Sequence, residues 1–202
     1  MSADIKIKIC GITRIEDIAC LNESKPDYVG FVFVKRSKRY CEPTNAINLR
    51  KKLSMEITTV GVFDNEPITN IIKFFNEGII SIVQLHGGEN LEYIRELRSR
   101  MPGITIIRAI DVSSHANSYD MYDADYLLLD NGKGGTGITF EWTKIKNIKT
   151  PYFLAGGINI SNLEDAIKYG PYAIDVSSGV ETDGYKDHNK IKRIIYALRN
   201  MK

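Results

Sequence analysis

Short apolar runs alternate along the whole chain with longer stretches in which apolar residues recur at helical spacing. The runs are Ile5 to Ile9, Tyr28 to Val34, Ile57 to Phe63, Ile79 to Leu85, Ile104 to Ile110, Tyr126 to Leu129, Tyr152 to Ala155 and Tyr172 to Val176. Most are rich in Ile, Val, Leu and Tyr, and several are apolar throughout, the pattern of parallel strands covered on both faces. Between them the spacing predicts helices over Ile15 to Asn22, Thr44 to Leu53, Ile68 to Asn76, Leu91 to Met101, Ile160 to Tyr169 and His188 to Met201. In the last of these, Ile191, Ile194, Ile195 and Leu198 fall on one face with Lys and Arg between them. Ser161 and Asp187 are the expected N-caps of the final two helices. Pro43 and Pro67 stand where a first helical turn tolerates proline. The stretches after Asp111 and after Thr139 are weaker and read as short or irregular helices.

The pattern gives eight strand–helix units in 202 residues, roughly 25 residues apiece and compact for such an architecture. Strands alternating with helices imply a parallel sheet with right-handed crossovers. Eight units most naturally close into a (β/α)8 barrel, the TIM barrel, and an open doubly wound sheet is the competing arrangement. Units this short leave little room for a second domain, and no Pro/Ser-rich linker or low-complexity segment interrupts them. Residues 1–202 are therefore expected to form a single α/β barrel domain.

Composition narrows the function classes. The hydrophobic share of 43% and charged share of 26% are those of a soluble globular protein. A net charge of +2, with Lys and Arg spread along the chain, argues against a nucleic-acid binder. Any anionic ligand must be held by local groups. No apolar run approaches the roughly 18 residues of a membrane span, and Lys6 and Lys8 interrupt the first apolar residues too soon for a signal peptide. Three cysteines with no C-x-x-C spacing argue against a disulfide framework or a zinc site, and point to a reducing compartment, the cytoplasm.

Reactive and small residues gather just after the apolar runs. Cys10-Gly11 follows the first, His86-Gly87-Gly88 the fourth, Asp130-Asn131 the sixth, Gly156-Gly157 the seventh and Ser177-Ser178-Gly179 the eighth. In a barrel these positions share the rim that carries the active site. Gly156-Gly157 and Ser177-Ser178-Gly179 have the makings of a phosphate clamp. Glycine lets backbone N–H groups approach an anion, serine adds donors, and a short helix after the eighth strand would aim its positive end at the ligand. The loop Gly132-Lys133-Gly134-Gly135-Thr136-Gly137 has the composition of a lid. In Lys35-Arg36-Ser37-Lys38-Arg39-Tyr40, one arginine is placed to pair bidentately with a substrate carboxylate and Tyr40 to stack on an aromatic ring. His86 has two readings of equal weight, a ligand contact or a structural histidine bonded to a backbone carbonyl.

Several segments together resemble the phosphoribosylanthranilate isomerase family. They are Lys8-Ile9-Cys10-Gly11-Ile12-Thr13, Gly30-Phe31-Val32-Phe33 with Ser37-Lys38-Arg39-Tyr40, Gly61-Val62-Phe63, Val83-Gln84-Leu85-His86-Gly87 and Leu128-Leu129-Asp130. They continue with Gly134-Gly135-Thr136-Gly137, Phe140-Glu141-Trp142, Ala155-Gly156-Gly157-Ile158-Asn159 and Asp175-Val176-Ser177-Ser178-Gly179-Val180-Glu181. The resemblance implies an Amadori rearrangement in tryptophan biosynthesis, acting on a sugar-phosphate substrate without a metal or other cofactor. It implies Cys10 as the general base at C2′, Asp130 as the general acid at the ring oxygen and Arg39 on the anthranilate carboxylate, with Arg36 a competitor for that contact. Gly156, Gly157, Ser177 and Ser178 would hold the phosphate, with Gly135 contributing. A histidine-pathway isomerase acting on an aminoimidazole ribotide is the nearest alternative, but by resemblance those barrels carry aspartate where this chain has Cys10. A non-catalytic phosphometabolite-binding barrel would leave Cys10 and Asp130 without a task. Monomer and homodimer both remain open.

Overall fold

A strand shows alternate side chains to opposite faces, so each apolar run here must serve two cores. In the computed structural model, which describes residues 4–112, 123–130, 142–145 and 148–201, the strands are β1 (Lys6–Cys10), β2 (Tyr28–Val32), β3 (Thr58–Phe63), β4 (Ile82–Leu85), β5 (Thr105–Asp111), β6 (Tyr126–Asp130), β7 (Tyr152–Leu154) and β8 (Ala173–Val176). They pair in chain order, all parallel, and β8 pairs back onto β1 through Ile7↔Ile174 and Ile9↔Val176. That last pairing closes the barrel and rules out the open sheet. The helices are α1 (Glu16–Ser24), α2 (Pro43–Lys52), α3 (Ile68–Asn76), α4 (Leu91–Arg100), α5 (Leu163–Ile167) and α6 (His188–Asn200). A two-residue-strand hairpin, β9 (Glu181–Thr182) and β10 (Tyr185–Lys186), lies between β8 and α6. Among the described residues, no helix is long and apolar enough to cross a membrane.

The outward set packs strands against helices. Ile7, Ile9, Val29, Phe31, Val83, Leu127, Ile174 and Val176 belong to one continuous core with Leu21, Leu49, Ile94 and Ile191 of the helices. Phe33, Phe63 and Phe74 stack within it, with ring centroids of the first and last 4.3 Å apart. The inward set fills the barrel. Near the amino ends of the strands, Val60, Ile82, Ile107, Leu128, Phe153 and Ala173 form a second core, closed by Tyr28, Tyr126 and Tyr172. The Tyr28 and Tyr172 hydroxyls meet at 2.8 Å, and the fully buried Phe153 ring lies 5.4 Å from Tyr28 and 5.6 Å from Tyr126. The floor of the barrel is therefore packed with aromatic rings, and the buried charges of Lys8, Asp175 and Asp130 lie above it.

The helix starts show which local signals prevail. Asp187 caps α6 as expected, accepting from the backbone N–H groups of Asn189 and Lys190. Pro43 is the first residue of α2, and Pro67 stands one position before α3. Ser161 does not cap α5, which begins later and is shorter than its periodicity predicts. The Asn159 side chain instead accepts from Ser161 N, and Asn162 accepts from Asn159 N. These carboxamides offer the backbone local partners that compete with helix initiation. Of the two weak helical stretches, residues 113–122 and 139–141 lie outside the described residues. Trp142–Lys144 is a single 3₁₀ turn.

Phe153→Ala would open a cavity in the barrel floor among three tyrosines. Unfolding by urea should show a loss of about 3–5 kcal/mol, against less than about 0.5 kcal/mol for exposed Tyr196→Ala.

Candidate active site

Beyond the carboxyl ends of the strands, the barrel opens into a cavity of about 810 Å³. Cys10, Arg39, His86, Asp130, Gly156, Gly157, Ser177 and Ser178 all line it, so strands far apart in sequence deliver the expected residues to one place. Gly135 and the rest of the lid loop lie outside the described residues. Tyr40 does not line the cavity; its backbone bridges to Val32 instead.

Cys10 ends β1, and strand parity puts Lys8 directly beneath it on the inward face. Gly30 of β2 makes room for both. A Cβ there would stand 2.7 Å from the Cys10 sulfur and 3.2 Å from Lys8 Cε. Lys8 has no exposed surface, and its Nζ donates to Gln84 Oε1 at 2.8 Å and to Asp175 Oδ1 at 3.1 Å. Burial pulls the Lys8 ammonium down, but Asp175 and Cys10 outweigh it and hold its pKa above the ordinary value. Burial pushes the Cys10 thiol up, and Lys8 opposes that only in part. The site thus presents a thiol with a fixed cation beside it.

The same parity argument places Gln84 and His86 one above the other at the end of β4. Gln84 Oε1 is occupied by the Lys8 ammonium, so its amide nitrogen is the group facing His86 Nδ1 at 3.2 Å. An amide nitrogen only donates, so Nδ1 must accept and the ring's proton sits on Nε2. That nitrogen faces Asp130, 3.8 Å from Oδ2. Burial lowers the His86 pKa, and the Asp130 charge offsets this only in part, so the ring is neutral near pH 7. His86 departs from the structural reading only in the partner of its ring. It lines the cavity, and a side-chain amide rather than a backbone carbonyl orients it. Below, a buried Arg108–Glu89 pair ties the loop down. Arg108 donates to Glu89 at 2.7 Å and to Gly87 O at 2.8 Å, while Glu89 accepts from Gly87 N and Asn65 N.

Two glycines in left-handed backbone, Gly156 at φ 84° and Gly157 at φ 66°, form the turn after β7. It meets the turn after β8 backbone to backbone. A Cβ on Gly179 would stand 1.9 Å from Ile158 O, so only glycine permits the contact. Ser177 donates to Cys10 O at 3.0 Å, fastening the same turn to the end of β1. After Ser177 the chain makes one 3₁₀ turn, Ser178–Val180, rather than the expected short helix.

Arg39 reaches the site by crossing Gly11, where a Cβ would be 2.5 Å from its Cδ and where φ is +83°. Nε and Nη2 make a bidentate pair with Glu181, each at 2.7 Å. Arg36 is mostly exposed and pairs with Asp64 across the rim. Lys8, Gln84 and Asp175 are site residues that the sequence reading does not single out. The available signal is parity, since a lysine two residues before an inward cysteine must also point inward.

Alkylation of Cys10 by iodoacetamide, followed by mass spectrometry, should rise with pH around a midpoint above the free-thiol value of about 8.5. A midpoint at or below that value would mean that Lys8 prevails over burial.

A sequence model of the N-(5′-phosphoribosyl)anthranilate (PRA) isomerase family matches residues 7–197. An N-(5′-phosphoribosyl)anthranilate isomerase of Thermoanaerobacter pseudethanolicus is 44% identical, covering 98% of this chain and 100% of that one. The crystal structure of the phosphoribosyl anthranilate isomerase from Thermus thermophilus superposes with a TM-score of 0.87 at 30% identity, covering 98% of this chain and all of that one. A phosphoribosyl anthranilate isomerase solved with reduced 1-(o-carboxyphenylamino)-1-deoxyribulose 5-phosphate has a TM-score of 0.78 at 34% identity, with the same coverage. With the closed barrel and the convergence of the motif residues on one cavity, this chain belongs to the phosphoribosylanthranilate isomerase family.

Proposed function

We propose that the chain converts N-(5′-phosphoribosyl)anthranilate to 1-(2-carboxyphenylamino)-1-deoxyribulose 5-phosphate, with Asp130 as general acid and Cys10 as general base. The observation that carries this reading is the placement of a buried carboxyl and a buried thiol on one cavity, beside a glycine–serine turn pair and a bidentate-capable arginine. Asp130 gives its proton to the ring oxygen as the C1′–oxygen bond breaks, and the nitrogen lone pair forms the C1′=N bond of a cationic Schiff base. That cation acidifies the C2′–H. Cys10 takes this proton, the electron pair forms C1′=C2′, and the C1′=N electrons return to nitrogen. The resulting enol becomes the ketone as C1′ gains a proton and the C2′ hydroxyl loses one. C2′ is oxidised while C1′ is reduced within one molecule, so the balance closes without an external redox partner.

The electrostatics suit this order of events. Burial makes the Cys10 thiol resist ionisation, but the Schiff-base cation is a positive charge that arises only after ring opening. Only the thiolate accepts a proton, so Cys10 first gives its own proton to solvent, a loss that this cation and the neighbouring Lys8 ammonium both favour. His86, with its proton on Nε2, is placed to donate toward Asp130 once that carboxyl has lost its own. Gly156, Gly157, Ser177 and Ser178 hold the phosphate, with Gly135 contributing, and Arg39 holds the carboxylate. Residues 1–202 act as one catalytic domain, and the three free buried thiols suit a reducing cytoplasm.

Purified protein should consume phosphoribosylanthranilate with no added cofactor; folded protein that leaves the substrate untouched would refute the reading. Cys10→Ala and Asp130→Asn should each lower kcat by about a hundredfold or more, and near-normal kcat in either would remove that residue from its role. Arg39→Ala should act mainly on KM, raising it by about tenfold or more. An unchanged KM there, with a raised one in Arg36→Ala, would move the carboxylate contact to Arg36.

A further inference from the structure

Arg39 does not stand alone in the cavity wall. Its Nε–Nη2 edge is taken by both Glu181 oxygens, and Glu181 Oε1 also accepts from Lys186 Nζ at 2.6 Å. Among the described residues, Arg39 Nη1 has no protein hydrogen bond. Lys186 is almost wholly buried and donates onward to Ser177 O at 3.0 Å, the residue whose hydroxyl holds the end of β1. Two basic groups therefore flank one carboxylate; burial pulls the Lys186 ammonium down, and Glu181 offsets this only in part. Burial pushes the Glu181 carboxyl up, but Arg39 and Lys186 outweigh it and its net shift is downward.

The hairpin that builds this cluster is over-determined. Asp183 (φ 52°) and Gly184 (φ 81°) form its two-residue loop, both in left-handed backbone as a primed turn requires. The ladder sets Lys186 directly opposite Glu181. Arg14 Nη2 then donates to Lys186 O at 2.8 Å while its guanidinium lies 4.8 Å over the Tyr185 ring, and Asp17 holds Arg14 from α1.

We propose that Glu181 and Lys186 are the positioning residues that make Arg39 selective for a carboxylate-bearing substrate. This rests on the reading that Arg39 meets the anthranilate carboxylate. Glu181 fixes the plane of the guanidinium so that its remaining edge faces the cavity. Lys186 supplies the second positive charge, without which Glu181 would neutralise Arg39 and leave nothing to attract an anion.

The test compares two probes by calorimetry: reduced 1-(o-carboxyphenylamino)-1-deoxyribulose 5-phosphate and the same compound with an unsubstituted phenyl ring. Wild-type protein should prefer the carboxylate probe. Glu181→Gln should reduce that preference by about tenfold while leaving the phenyl probe's Kd within about twofold. Glu181→Asp should fall between. Lys186→Met, which keeps the Arg39–Glu181 pair, should also lose preference, and serves if Glu181→Gln does not fold by circular dichroism. A merely structural role would weaken both probes alike or lower Tm alone, and would overturn the proposal. A discriminating wild type with an equally discriminating Glu181→Gln or Lys186→Met overturns it while the Arg39 reading stands. A wild type that binds both probes equally overturns both.

Discussion

Lys8 carries a positive charge in the middle of the barrel with no surface exposed to solvent, and much of the site depends on that constraint. A buried ammonium persists only if it is paired and hydrogen-bonded. Its partners come from two other strands, Gln84 on β4 and Asp175 on β8. The Asp175 oxygen is fixed in turn, because the barrel closes β8 directly onto β1 and sets Asp175 opposite Lys8. One contact therefore ties together closure, the polar layer above the aromatic floor and the environment of the thiol two residues along β1. The Lys8 position tolerates a charge because the chain supplies the whole network rather than one partner.

That network also reaches the other side of the cavity. Gln84 has one oxygen and one amide nitrogen, and Lys8 claims the oxygen, so the nitrogen must serve His86. The histidine tautomer is thus decided by a lysine it does not touch. A charge near Cys10 and a proton facing Asp130 are set by the same amide, although the two proposed catalytic groups sit on β1 and β6. Glycine has the complementary part. Gly30 clears space for the thiol and the lysine stem, Gly11 for the stem of Arg39, and Gly179 for the meeting of two turns.

How legible each feature is in the sequence depends on the kind of signal it leaves. The eight strands leave continuous apolar runs, and the rim residues come directly after those runs, so the fold and the cavity-lining set can be read in advance. Position in a strand predicts burial face, but only where both faces are considered. Lys8 reads as an interruption of β1 rather than as a member of the inward row with Cys10, which hides its role. The Asp183-Gly184 pair is a hairpin signal of the strongest kind, yet strands of two residues leave no periodicity to frame it. Lys186 gives no local sign at all, since its partner Glu181 is found only once the hairpin is folded. The caps divide similarly. Asp187 prevails because nothing nearby competes for its helix N-terminus, whereas Ser161 loses to the carboxamides of Asn159 and Asn162.

The balance of charge around the cavity bears on how an anionic substrate is held. The chain's net charge of +2 supplies little general attraction. Several cations near the site are already committed to carboxylates: Lys8 to Asp175, Arg36 to Asp64 and Arg39 to Glu181. A cation fully matched in this way orients a ligand but contributes little net field. The proposed phosphate clamp, by contrast, would use backbone N–H groups and hydroxyls, neutral donors that need no counter-charge. The remaining surplus lies where two basic groups share one carboxylate, at Arg39, Glu181 and Lys186. On the proposed assignment the site divides its work, with geometry recognising the phosphate end and a local excess of charge recognising the aromatic acid end.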